Sequence, residues 1–291
     1  MLRLRVIVWP LLALGFNLGC VHPILKPREG LTTMKQATST VPTRGDTQVA
    51  IASRLLDQPA GSDYLTRGVW RDATTPLTHE LTTLLAINGL RLGVIGATRP
   101  QEFQTLMSSE ASVVNAMIRT TSVGRPRVVP VNGPLPQCEL EYTPSFEQPA
   151  ERREYASAEC GVQVVATPGP NGGMKLKCEL QIQHGDRQPF LQPSADGSNL
   201  TRQDQRPTDS FTTIAWELTL DRDEALIVGP TEEPVGKLGQ AYFFAGNDER
   251  PRQRLLVIQA GVTSESAEAV ANPKASRSPA ARAGNLVVRK D

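Results

Sequence analysis

Met174-Lys175-Leu176-Lys177-Cys178-Glu179-Leu180-Gln181-Ile182-Gln183 alternates oily and polar side chains without a break. Successive side chains of a strand point to opposite faces, so this pattern spells a strand with one dry face and one wet face. A sheet built from such strands covers a core on one side only. Cys178 falls on the dry face, among Met174, Leu176, Leu180 and Ile182. Before it stands a turn cluster, Pro168-Gly169-Pro170-Asn171-Gly172-Gly173, and before that Val162–Ala166 reads as a strand. Downstream, Ile214, Trp216, Leu218 and Leu220 alternate against Thr213, Ala215, Glu217 and Thr219, which predicts a strand over 211–220. Asp221-Arg222-Asp223-Glu224 then turns the chain into a strand at Ala225–Val228, and Leu255-Leu256-Val257-Ile258 reads as an interior strand. Residues 185–210 are polar and turn-forming, and predict a long loop.

Upstream the pattern is mixed. Thr47–Leu56 reads as a strand closed by Asp57-Gln58-Pro59. Leu77, Leu81, Leu84 and Leu85 fall at helical spacing, with Thr75-Pro76 as the start signal and Asn88-Gly89 as the stop. A strand at Leu90–Ile95 and a short helix over Pro100–Met107 follow. The expected fold class is α+β: a small α+β unit over 47–130, then a mainly antiparallel β-domain over 131–262. Residues 263–291 lack a core-forming pattern and read as a disordered tail.

The start of the chain carries an address. Arg3 and Arg5 precede an apolar run from Val6 to Phe16, the layout of a secretory signal peptide over 1–19. The run is too short to span a bilayer as a helix, which takes about 20 apolar residues. Asn17-Leu18-Gly19-Cys20 then resembles the lipobox of bacterial lipoproteins, which implies that Cys20 is acylated and becomes the first residue. The alternatives are plain secretion with a free Cys20, or an uncleaved anchor. Residues 20–46, rich in Pro, Thr and Lys, read as a tether. The expected location is the bacterial cell envelope, with the membrane as a partner through lipid on Cys20.

Composition excludes some functions. The chain has 31 basic and 30 acidic side chains, a balance that offers no electrostatic reason to expect nucleic acid. Aromatics make up only 5%, while Gly and Pro number 23 each, which suits a loop-rich β protein. Behind Cys20 come Cys138, Cys160 and Cys178, and no pair of them has metal-knuckle or redox spacing. They are expected to be buried free thiols.

No catalytic or cofactor-binding constellation emerges. His79-Glu80 opens an H-E-x-x-H motif, but Thr83 stands where the second histidine is needed. His22, His79 and His184 are dispersed. Gly169–Lys175 looks faintly like a phosphate loop, yet a strand follows it rather than a helix whose amides would hold phosphate. No cofactor, no metal and no enzymatic activity are expected.

From Gly161 to Val262 the order of elements resembles the C-terminal β-domain of bacterial secretins, the outer-membrane pore family. Gly161-Val162 to Pro168 is similar to that family's G-x-x-L-x-V-x-P segment, and Glu224–Gly229 to its G-E-T-L-V-I-G-G hairpin. Leu238-Gly239 with Phe243-Phe244 resembles its L-G-x-L-F stretch, and Arg254–Ile258 its closing E-L-L-I-x-I-T-P strand. Pro230 stands in place of the second glycine of the hairpin, and Ala260-Gly261 in place of Thr-Pro. The chain also resembles bacterial envelope lipoproteins carrying N-G-L-R-x-G-V, here Asn88–Val94, which implies no activity. The resemblance implies a secretin-like sheet. The expected function is non-enzymatic: a lipid-anchored envelope protein acting by binding or assembly, through an envelope partner or self-association. The rival is a pore-forming or pore-associated outer-membrane component.

Overall fold

The computed structural model describes residues 47–193, 199–246 and 249–262. In chain order these form β1 (Gln48–Pro59), a π-helical turn (Tyr64–Gly68) running into α1 (Val69–Arg71), α2 (His79–Ile87), β2 (Leu90–Ile95), α3 (Gln101–Ser108) and β3 (Val113–Ser122). The long strands β4 (Pro126–Tyr142) and β5 (Glu151–Pro168) follow, then β6 (Met174–Gln183), β7 (Gln188–Pro193), β8 (Leu200–Gln205), β9 (Thr208–Ser210) and β10 (Trp216–Leu220). The last elements are β11 (Ala225–Pro230), α4 (Leu238–Phe243), β12 (Phe244–Ala245) and β13 (Arg252–Val262).

Every pairing between these strands is antiparallel. One sheet runs β2-β11-β13-β1-β3, with β12 beside β13; the second runs β10-β6-β5-β4, with β9 beside β6; β7 and β8 pair only with each other. The first sheet therefore joins strands from both ends of the described chain. That corrects the boundary expected at residue 130: β1, β2 and β3 share their sheet with β11 and β13, and β4 runs straight through residue 130. The described residues lie in one compact unit.

The alternation read in β6 holds from Met174 to Cys178, while further along Gln181 of the expected wet face is buried and donates to Gln163. Met174, Leu176, Cys178, Leu180 and Ile182 are buried while Lys175 and Lys177 are exposed. They meet Val49, Ile51, Leu92, Val94, Leu226, Val228, Leu256 and Ile258 of the first sheet in one core. The opposite face of the first sheet is covered too. Leu56, Ile95, Ile227, Leu255 and Val257 pack there against Leu65, Val69 and Phe103. So β11 is buried along its whole length, as a strand covered on both faces must be.

Three contacts hold these layers in place. Asn88, buried at the end of α2, donates from Nδ2 to the Leu84 and Thr143 carbonyls (2.9 Å each) and accepts from the Thr143 amide at 2.8 Å. That ties the tip of the β4–β5 hairpin to the helix. Gly239 opens α4 against the carbonyl of Gly89, where a side chain would have no room. Asp57, buried on β1, accepts from Arg252 Nε at 2.6 Å and Arg254 Nε at 3.3 Å. Arg254 also reaches Asn132 Oδ1 on β4 at 3.0 Å.

Further differences from the sequence reading have physical causes. The helix expected from 77 begins at His79, because Thr78 takes the cap position and its side chain accepts from the Leu81 amide. The strand expected over 211–220 starts at Trp216, since Thr212–Ile214 forms a 3-10 turn. The expected loop over 185–210 holds β7, β8 and β9. Expected features over 1–46 and 263–291, Cys20 among them, lie outside the described residues.

Candidate functional site

Beyond the reach of β6, the outer half of the β4–β5 hairpin meets β9 and the base of β7–β8. The inward side of β5 there carries Arg153 and Tyr155, opposite Leu140 and Cys138 of β4. Strand β9 brings in Asp209, and the residue after β6 is His184, held by its amide to the Pro207 carbonyl at 3.0 Å.

Asp209 is the hub of this cluster. Its Oδ2 accepts from the Tyr155 hydroxyl at 2.9 Å and lies 3.6 Å from Arg153, and its Oδ1 lies 3.7 Å from His184 Nε2. The Tyr155 and His184 rings pack with centroids 4.9 Å apart. Arg153 lies over the rings of Tyr142 (4.9 Å) and Phe211 (5.4 Å) and donates to Glu151 at 2.8 Å. Burial first, and then the hydrogen bond to Asp209, push the Tyr155 phenol up to about 12, so it acts here as a neutral donor.

Next to this cluster an open cleft of about 830 Å³ lies between β5 and the base of the β7–β8 hairpin. Arg206 braces one wall: Nε donates to the Gly185 carbonyl at 3.0 Å, Nη1 to Glu159 at 2.6 Å, and Nη2 to the Ser157 carbonyl. Asp186, Arg187 and Asp204 line the rest. The lining is polar and mixed in sign, suited to hydrogen-bonded contact with another polar surface rather than to a buried apolar ligand.

The β7–β8 hairpin extends from this end. The register places Leu191 and Leu200 on one face and Phe190 on the other. All three are exposed, by 58%, 64% and 55%. A two-stranded hairpin is at best marginal by itself in water, and this one has apolar side chains on both faces.

The three cysteines are free and buried as expected, and nothing activates them. Burial raises Cys178 to about 12 and pushes Cys138 and Cys160 up as well, the reverse of a reactive thiolate. His79 lies exposed at the start of α2, and no group of metal-ligating side chains occurs among the described residues. The structure gives His184, read as dispersed, a setting that sequence had not suggested. Its partners Tyr155 and Asp209 escaped the sequence reading because they lie in segments without a motif.

No protein-family model matches the chain, and no curated protein matches it. Among solved structures the chain is similar to the secretin-domain β-barrel of InvG from the Salmonella SPI-1 injectisome. That likeness has 11% identity and a TM-score of 0.24, over 82% of this chain and 71% of that one. A second structure, of the injectisome secretin InvG, is similar at 11% identity and a TM-score of 0.19, over 79% and 70%.

Proposed function

We propose that this chain is a bacterial envelope protein, anchored by lipid on Cys20, that acts by binding and assembly rather than by catalysis. Its contact surface is the end formed by the outer β4–β5 hairpin, β9 and the β7–β8 hairpin. The observation that carries this reading is the β7–β8 hairpin, which pairs with neither large sheet and exposes Phe190, Leu191 and Leu200. Exposed apolar side chains grouped on a projecting element mark a protein or membrane contact. The cluster around Asp209 supports the non-enzymatic part: its groups satisfy one another, and the buried thiols are disarmed.

The rival, a secretin-like pore, rests on strand length. β4 and β5 run 17 and 18 residues, more than the roughly 9–11 that cross a membrane when tilted. A membrane barrel needs an apolar outer band, yet the outward side of these strands carries Glu139, Glu141, Arg152 and Glu154, all exposed. Their inward side is committed to the core through Leu140, Tyr142 and Tyr155. This favours the soluble form.

The chain lacking residues 1–20 is expected to be soluble without detergent and to sediment as a monomer or small oligomer. A heat-resistant multimer recovered only in detergent, conducting ions across a bilayer, would overturn this in favour of the pore. In cells, a photocrosslinking residue at Leu191 is expected to yield an adduct, with an envelope protein or a second copy, that the same residue at Lys177 does not. Equal or absent crosslinking at both positions removes the hairpin as the contact. Cys20→Ser is expected to release the protein from the membrane fraction, because several acyl chains on Cys20 supply the anchor and a single chain would bind only marginally. Unchanged retention would refute the anchor.

A further inference from the structure

Between α2, β2 and the turn before α2 lies a cavity of about 280 Å³. Leu77 and Ala73 line it together with Thr75 and Thr231. The core residues Leu85, Leu90 and Leu92 form its floor, and Thr82 and Ala86 its rim on α2. Trp70 and Arg91 complete the wall, with the guanidinium 4.5 Å from the centre of the indole ring.

Both of these side chains are held in place. Trp70 Nε1 donates to the Leu65 carbonyl at 3.0 Å, and Arg91 Nη2 to the Thr66 carbonyl at 2.8 Å, both carbonyls belonging to the π-helical turn. Arg91 Nε donates to the Pro230 carbonyl at 2.9 Å. Those contacts are to neutral carbonyls. Among the described residues no carboxylate lies within ion-pair distance of Arg91; Glu232, the nearest acid to act on it, pairs with Arg67 at 3.6 Å. A half-buried guanidinium held only by neutral groups gains charge-assisted hydrogen bonds when an anion joins it.

We propose that this cavity binds a small apolar carboxylate of the medium-chain fatty-acid type, its tail against Leu77, Ala73 and the α2 rim and its carboxylate on Arg91. Charge complementarity selects the head group. The volume selects the tail: about nine water-sized groups fit at about 30 Å³ each, at the small end of ligand pockets. Charge-assisted pairing to a guanidinium that is already in place carries little ordering cost. The cavity shares no lining residue with the cleft beside the Asp209 cluster.

Octanoate is the probe, titrated by calorimetry into the full chain. One octanoate per chain is expected to bind, at least tenfold tighter than 1-octanol, which keeps the tail and lacks the charge. Bromine next to the carboxylate is expected to quench Trp70, so 2-bromooctanoate dims the wild type more than Trp70→Phe. Arg91→Gln is expected to lower octanoate affinity to that of octanol. Because Arg91 also braces the turn, the exposed-rim variant Ala86→Trp gives a second test: it fills the mouth from the surface and is expected to abolish binding with the melting temperature unchanged. No saturable binding, equal affinity for octanol, or binding indifferent to Ala86→Trp would each overturn the proposal.

Discussion

The two large sheets share a core, yet they are built on different rules. The first is covered on both faces, so its central strands β11 and β13 carry unbroken oily runs, Ala225–Val228 and Leu255–Ile258. The second is covered on one face, so β6 and β10 alternate, with Lys175, Lys177 and Glu217 in water. Along β11 and the middle of β13, Leu255–Ile258, every position is a core position. In the second sheet, every other position is nearly free.

That difference is sharpest under substitution of neighbours. Ile227→Asp and Val228→Asp point to opposite faces of β11, into two separate apolar clusters. Each places an unpaired carboxylate in a dry layer, a loss of at least about 4 kcal/mol that is expected to leave no folded protein. In β6 the same pair of experiments splits. Cys178→Asp is expected to be as damaging, and Lys177→Asp to cost no more than about 0.5 kcal/mol. Urea unfolding of the four variants checks this, and a tolerated aspartate at either 227 or 228 would break the comparison.

Ion pairs follow the same divide. Asp57 of the first sheet is buried between Arg252 and Arg254. Removing Asp57 takes charge-assisted hydrogen bonds from two arginines that water partly reaches, so Asp57→Ala is expected to lose about 1.5–3 kcal/mol. The loss registers as a lower urea midpoint. A change below about 1 kcal/mol would show that water fully solvates the two arginines once Asp57 is gone.

How far could this have been read from the sequence? One-sided burial writes itself as a period of two, which is why the dry face of β6 was legible residue by residue, though the burial of Gln181 on the other face was not. Two-sided burial writes only an oily run, so β11 and β13 were visible as strands while their sheet partners were not. The β4–β5 hairpin was hidden by Pro126, Pro130, Pro134 and Pro136, which argue against a strand in a sheet interior. They are tolerated because β4 lies at the edge of its sheet. The cluster around Asp209 left no trace, since Tyr155 and Asp209 stand 54 positions apart and only the β5–β6–β9 register brings them together. Arg91 was noticed only as part of a segment, Asn88–Val94, and its indole partner was not foreseen.

Alkali tests the second sheet in particular, because Cys138, Cys160 and Cys178 all lie on its inward face. Burial raises all three thiols, Cys178 from 9.0 to about 12. A neutral folded thiol that ionises once unfolded adds stability that is fully present below the unfolded value of about 9. It is lost as pH rises through the folded value, which for Cys178 puts the window at about pH 9–12. The slope is at most about 1.4 kcal/mol per pH unit for each thiol. Urea midpoints are expected to hold from pH 7 to 8 and to fall steadily above 9, with a shallower fall in Cys178→Ala. Equal slopes in wild type and variant would place the alkaline weakness elsewhere.

The smallest expected effect lies on the wet face of the second sheet. Lys175 Nζ pairs with Glu217 Oε1 at 2.7 Å on the diagonal between β6 and β10, where Lys175 stands opposite Thr219, whereas Asp57 stands directly opposite Arg254 on the first sheet. Lys175 and Glu217 are both about half exposed, at 48% and 52%, so water already solvates each charge and salt screens the pair. Exposed pairs of this kind contribute about 0.2–1 kcal/mol. A double-mutant cycle of Lys175→Ala and Glu217→Ala is therefore expected to give a coupling within that range, shrinking toward zero in 1 M salt. The cycle built on Asp57 and Arg254 is expected to give a coupling several times larger that salt barely changes. If the two cycles matched, the difference between the sheets would reduce to sequence pattern, with burial no longer setting the strength of their charges.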